Sequence, residues 1–205
     1  MEMTPAKVHV RLLGAFELTV DTGVVVTRLP TRRASELVQL LALAPGRQLA
    51  RDQVIDALWP QLDASAGGAN LRKAAHHARQ ALAYPQAVVL EQLHVELFPG
   101  VAVSTDVDEF LEAADGALAA GNAVAARAAA LLYAGELLPT ARYDAWADEP
   151  RRLLAARYVD LLRVGGQWDR VLEFDPLDEP AAREVMRGAL DDGRRHRAID
   201  RKSVV

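Results

Sequence analysis

Along the first thirty residues, apolar and polar side chains alternate. Val8-His-Val-Arg-Leu-Leu13 and Ala15-Phe-Glu-Leu-Thr-Val20 follow the period of two that turns one strand face inward, and Gly14 separates them. Asp21-Thr-Gly23 reads as a turn, Val24–Thr27 as a third strand, and Pro30 as its end. The period then lengthens. Leu37, Leu40, Leu41 and Ala44 recur at helical spacing, with Thr31 placed to cap the helix and Pro45-Gly46 to stop it. A short helix is predicted over Asp52–Leu58, with Val54, Ile55, Leu58 and Trp59 inward, followed by a loop over Pro60–Ser65. A longer helix follows over Ala66–Ala83, its inward stripe made of Leu71, Ala74 or Ala75, Ala78 and Leu82. Pro85 ends it. Ala87–Leu90 and His94–Phe98 form a hairpin around Glu91-Gln-Leu93, and Val101–Val103 can add a third strand to it.

From Asp106 the texture changes to Ala- and Leu-rich helix as far as about Ile199, capped at its start by Thr105 or Asp106. Turn signals recur at Ala120-Gly-Asn122, Gly165-Gly-Gln167 and Asp192-Gly-Arg194. This is a weak internal repeat of helical hairpins, of the kind that stacks into a solenoid. The expected division is therefore an α+β domain over residues 1–104 and an all-α domain over residues 105–199.

Composition narrows the function. Hydrophobic residues make up 51% and charged residues 25% of 205, enough for a packed core. Cysteine is absent, so disulfides and cysteine-based zinc or nucleophile sites are excluded. The first ten residues have no run suited to a signal peptide. The most apolar stretch, Ala117–Ala134, is broken by Asn122 and Arg127 and does not read as a membrane span. The cytoplasm is the expected location. Net charge is −4, but it is unevenly placed: residues 1–100 carry 10 Lys/Arg against 9 Asp/Glu, and residues 101–205 carry 14 against 19. Ala66–Ala83 holds Arg72, Lys73, Arg79 and two histidines with no acid. Because screening limits distant charges to about 8–10 Å, a local basic face on an acidic chain remains compatible with DNA.

Strands, three helices and a hairpin, with the third helix basic on one face, is the plan of a winged helix-turn-helix. A major groove about 12 Å wide admits one helix, which needs an apolar back and a polar front. Asn70, Lys73, His77 and Gln80 are the expected base-reading residues. Arg72, His76 and Arg79 flank them as phosphate contacts, with Arg32, Arg33, Arg47 and Arg51 at helix starts. Double-stranded DNA is the implied partner. The hairpin is a poor wing, since Glu91 has the wrong sign and no Arg or Lys lies between Val88 and Val101. His76 and His77 project about 100° apart and do not chelate one ion, so no metal is expected. Gly67-Gly68 is no phosphate loop; it is expected to loosen the start of the third helix. No cofactor and no enzymatic constellation is legible. The alternative is a helical-repeat interaction scaffold that does not itself bind DNA.

Val10-Arg-Leu-Leu-Gly-Ala-Phe16, Leu29-Pro-Thr-Arg-Arg33, Asp52-Gln-Val-Ile-Asp-Ala-Leu-Trp-Pro60 and Asn70-Leu-Arg72 with Ala78-Arg79 resemble the Streptomyces antibiotic regulatory protein family. Asp106-Val-Asp-Glu-Phe110, Tyr133-Ala-Gly-Glu-Leu-Leu-Pro139 and Trp146-Ala-Asp-Glu-Pro150 resemble its bacterial transcriptional activator domain. The resemblance implies an OmpR-like winged helix followed by a tetratricopeptide-like domain. It implies an activator binding direct repeats in promoters as a side-by-side pair and contacting RNA polymerase. By position, Pro60, Gln61, Leu62 and Asp63 match the loop used for polymerase contact. Two departures are an acidic wing, and Ala75 and Ala78 where relatives carry leucine. The activator domain normally continues with more helix, and Asp200-Arg-Lys-Ser-Val-Val205 resembles a translated sequencing adapter. A truncated gene fragment is therefore expected, with residues 200–205 as a non-native tail and a downstream ATPase or sensor domain missing.

Overall fold

The computed structural model describes residue 5 and residues 7–202, with side chains described up to residue 190. Packing divides the chain into two compact units, residues 1–111 with 132–154, and residues 112–131 with 155–205.

The first unit opens with β1 (Lys7–Arg11), β2 (Glu17–Val20) and β3 (Val25–Val26). Period-two alternation puts Val8, Val10, Leu18 and Val20 in the core. After them come α1 (Arg32–Leu43), a 3-10 turn at Pro45–Arg47, and β4 (Gln48–Ala50). Then follow α2 (Arg51–Leu58), α3 (Ala64–Ala81), and the hairpin β5 (Val88–Leu90) and β6 (His94–Leu97). Thr31 caps α1 through the Ala34 N–H (3.2 Å), as its position predicted. Leu37, Leu41, Val54, Leu58, Leu71, Ala75, Ala78 and Leu82 close the three-helix core at 0–1% exposure.

Three features differ from the reading of the sequence. β4 was not predicted; it pairs antiparallel with β6 (Leu49 opposite Val95) and makes the hairpin a three-stranded sheet, β4-β6-β5. The strand near Val101–Val103 does not extend that hairpin. As β7 (Ala102–Thr105) it runs parallel to β1, Val8 beside Val103, and completes the other sheet, β3-β2-β1-β7. A parallel pairing needs a long crossover, and here the whole helix-turn-helix is that crossover. Finally, α3 begins two residues early because the Asp63 carboxylate accepts from the Ala66 N–H (2.8 Å), which shortens the expected Pro60–Ser65 loop.

Helix was expected throughout residues 106–199. α4 (Asp106–Ala120) and α5 (Ala123–Ala130) fit, as do α6 (Asp148–Val164) and α7 (Trp168–Phe174). Residues 131–147 instead form an irregular segment with 3-10 turns at Pro139–Ala141 and Ala145–Ala147. Its backbone bonds go to the end of β1: Gly14 N–H to Glu136 O (2.9 Å) and Leu138 N–H to Leu12 O (2.9 Å). Gly14 and Gly135, both at positive φ, lie back to back; a Cβ on Gly14 would meet the Ala134 carbonyl at 3.1 Å. Leu137 and Leu138 are thereby fully buried.

The second unit is made of helical hairpins, from the latter part of α4 through α5, the latter part of α6, α7 and α8 (Glu179–Lys202). Asn122 caps α5 by accepting from Val124 and Ala125. Asp178 caps α8 through the Ala181 N–H (2.9 Å) and pairs with Arg163 (2.5 Å). Arg127 Nε donates to the Gly165 carbonyl (2.6 Å). Two of the three turn signals fall between helices. The third, Asp192-Gly-Arg194, lies inside α8, which runs through it. The expectation for residues 200–205 lies outside the described side chains, and residues 203–205 lie outside the described residues. Among the described residues no helix is long and apolar enough to cross a membrane.

Candidate nucleic-acid interface

α3 is divided lengthwise by its sequence. Successive residues turn about 100°, so Gly67, Leu71, Ala74, Ala75 and Ala78 fall on one side, where all are buried. Ala69, Arg72, Lys73, His76 and Gln80 fall on the other and are exposed. Alanine at 75 and 78 keeps the buried side of α3 low enough for close packing, both side chains being 0% exposed. Gly67 does the same against α2: a Cβ there would stand 2.4 Å from Ile55 Cγ2. Gly67 therefore permits close helix approach, whereas Gly68 has room for a Cβ.

The predicted residues separate into three groups. Arg72, Lys73, His76 and Gln80 share the solvent face, and among the described residues the side chains of Asn70, Arg72, Lys73 and Gln80 make no hydrogen bond or ion pair. His76 and His77 are tilted ring neighbours, 5.8 Å apart. Asn70 and His77 are half-buried on one flank and line a shallow recess of about 230 Å³ with Thr31, Arg33, Trp59 and Lys73. On the opposite flank Arg79 Nε donates to the Val88 carbonyl (2.7 Å), tying α3 to β5.

The other arginines are anchored. Arg32 Nε and Arg33 Nη1 both donate to the buried Glu36, each at 2.5 Å, and Arg32 also pairs with Asp144. Glu36 and Asp144 push Arg32 further above its ordinary pKa. Arg33 also stands over the Trp59 ring, 5.8 Å from its centroid. Arg47 pairs with Asp108 and donates to the Ala42 carbonyl. Arg51 Nη1 donates to the Glu91 carbonyl (3.1 Å), and its N–H to the Leu93 carbonyl (3.0 Å), so the hairpin tip is stapled to the start of α2. Arg51 and Arg72 both reach toward Gly68, each 3.9 Å from where its Cβ would be. In the loop before α3, Pro60, Gln61 and Asp63 are exposed and Leu62 half-buried. Leu93, at the hairpin tip, is 78% exposed.

Sequence reading missed Glu36, the shared counter-ion of two predicted phosphate contacts, although its i,i+4 spacing from Arg32 was the available signal. Asp106 is not the cap of α4. Thr105 and Asp108 make the reciprocal cap, whereas the Asp106 carboxylate accepts the N–H groups of Leu12 (2.8 Å) and Leu13 (2.9 Å). Burial pushes the Asp106 carboxyl up, and those two N–H groups and His9 pull it partly back. Among the described residues no group of three or more His, Asp or Glu gathers as a metal site.

The architecture is thus a winged helix-turn-helix in an α+β N-terminal region, followed by helical hairpins. No family model and no curated protein matches the chain. Among solved structures it is similar to Mycobacterium tuberculosis EmbR in complex with low affinity phosphopeptide. The TM-score is 0.61 at 18% identity, over 86% of this chain and 53% of that one. The chain spans about half the length of that protein, and likeness at this identity establishes the fold.

Proposed function

We propose that the protein is a sequence-specific DNA-binding transcription regulator of the Streptomyces antibiotic regulatory protein type, acting as an activator in the cytoplasm. One observation carries the reading: the outer face of α3 presents Arg72, Lys73, His76 and Gln80, and Arg72 and Lys73 have no counter-ion among the described residues. A cationic helix face spaced to fit a groove and left unneutralised by its own fold is what phosphate and base-edge contact require. Asn70 and His77 lie where α3 meets α1, and Arg51, which like Arg72 reaches toward Gly68, adds charge at the start of α3. Functionally the chain divides into residues 1–104, which read DNA, and 105–199, a tetratricopeptide-like activator domain. The Pro60–Asp63 loop is proposed to contact RNA polymerase, and two copies to bind direct repeats side by side.

Fluorescence anisotropy on the upstream region of its own gene cluster, titrated with salt, tests this. Each phosphate contact made by Arg51 or Arg72 should add about −0.9 to the slope of log K against log salt. Lys73→Ala should weaken binding by about 1–3 kcal/mol if it reads a base. Affinity that ignores both salt and Lys73 refutes the reading and leaves the interaction-scaffold alternative.

A further inference from the structure

A concavity of about 670 Å³ lies in the first unit away from the outer face of α3. It is within the roughly 300–1,000 Å³ that small-molecule sites occupy. Three segments wall it: the chain between β1 and β2, the approach to α1 with its first turns, and the 3-10 turn at Pro139. We propose that this cleft binds a small organic anion carrying a flat ring.

Three observations converge on that chemistry. Gln39, on α1, lines the cleft at 4% exposure, yet among the described residues its amide makes no hydrogen bond. Its amide atoms are not themselves sealed from solvent, unlike Trp146 Nε1 and Gln167 Oε1, so a donor and an acceptor open on the space of the cleft rather than on the protein. Phe16, Pro30 and Pro139 supply apolar wall, with the Ser35 hydroxyl among them. At the mouth Arg28 is exposed and, among the described residues, meets no carboxylate. The two acids that line the cleft, Glu36 and Asp144, are engaged by Arg32, and Glu36 by Arg33 as well. The uncompensated charge of the cleft is therefore positive. A ring between Phe16 and the prolines, a polar edge on Gln39 and an anionic group toward Arg28 satisfy all three features.

The test uses 1-anilinonaphthalene-8-sulfonate, an aromatic sulfonate, titrated by fluorescence into the full chain without DNA. One saturable site is expected. Gln39→Leu, which keeps the apolar volume, and Arg28→Glu, on the surface, should each raise Kd about three- to tenfold, the worth of one hydrogen bond or charge contact. Unchanged thermal unfolding midpoints establish that both variants are folded. No saturation in the wild-type protein, or an unchanged Kd in Arg28→Glu, overturns the proposal, the probe then sitting on exposed apolar surface such as Leu131 or Leu177.

Discussion

Adjacent glycines at the start of α3 should respond oppositely to alanine. At Gly67 the new Cβ would stand 2.4 Å from Ile55 Cγ2, against 3.4 Å or more for ordinary contact, so about 1 Å must be found. Ile55 is 6% exposed and β-branched, and its methyl cannot swing aside without leaving its preferred rotamer. Overpacking of this kind costs about 1–3 kcal/mol. Replacing glycine inside a helix returns about 1 kcal/mol, which leaves Gly67→Ala destabilised by roughly 0–2 kcal/mol and about 1–3 kcal/mol less stable than Gly68→Ala. At Gly68 the nearest atoms lie 3.9 Å away, and Gly68→Ala should stabilise by up to about 1 kcal/mol. Urea unfolding followed by circular dichroism measures both as shifts in midpoint at constant slope. Truncation to Ile55→Ala removes the clash, so in that background Gly67→Ala should turn favourable. A Gly67→Ala protein as stable as Gly68→Ala, or an increment unaltered by Ile55→Ala, refutes the packing account.

Arg79→Ala should lower stability by about 1 kcal/mol by removing the bond to the Val88 carbonyl. A loss of DNA affinity without a stability change would place its guanidinium on phosphate instead. Asp106→Asn should destabilise by about 1–3 kcal/mol despite relieving a buried charge, because one amide oxygen cannot serve both the Leu12 and Leu13 N–H groups. Urea unfolding of that variant checks this. Acid should weaken the helical unit through Asp178. The Ala181 N–H and Arg163 hold its carboxyl below the ordinary value. Its contribution is therefore present above about pH 4, the ordinary Asp value, and is lost as pH falls below that through the lowered folded value. Thermal melts at pH 7 and pH 3 should differ less for Asp178→Ala than for the wild-type protein.

Residue pattern alone determined the local elements. Alternation at Val8–Val20 encodes strands, helical spacing at Leu37–Leu41 and Leu71–Leu82 encodes helices, and Thr31 and Asn122 sit where caps belong. These signals are local, because side-chain period and capping act within a few residues. The polarity of α3 was legible for the same reason: a helix turns about 100° per residue wherever it packs. What tertiary structure decided involves partners far apart in sequence. β4 has three residues and no period, and it is a strand only because β6 offers it bonds. β7 belongs with β1 across more than ninety residues, and residues 131–147 leave the helix because Leu12 and Gly14 accept and donate in its place. The same holds for charge. Arg32, Arg33 and Arg47 look like phosphate contacts in the sequence, but folding sets Glu36, Asp144 and Asp108 against them. Arg72 and Lys73 were left facing solvent, and only the packed chain could distinguish the two sets.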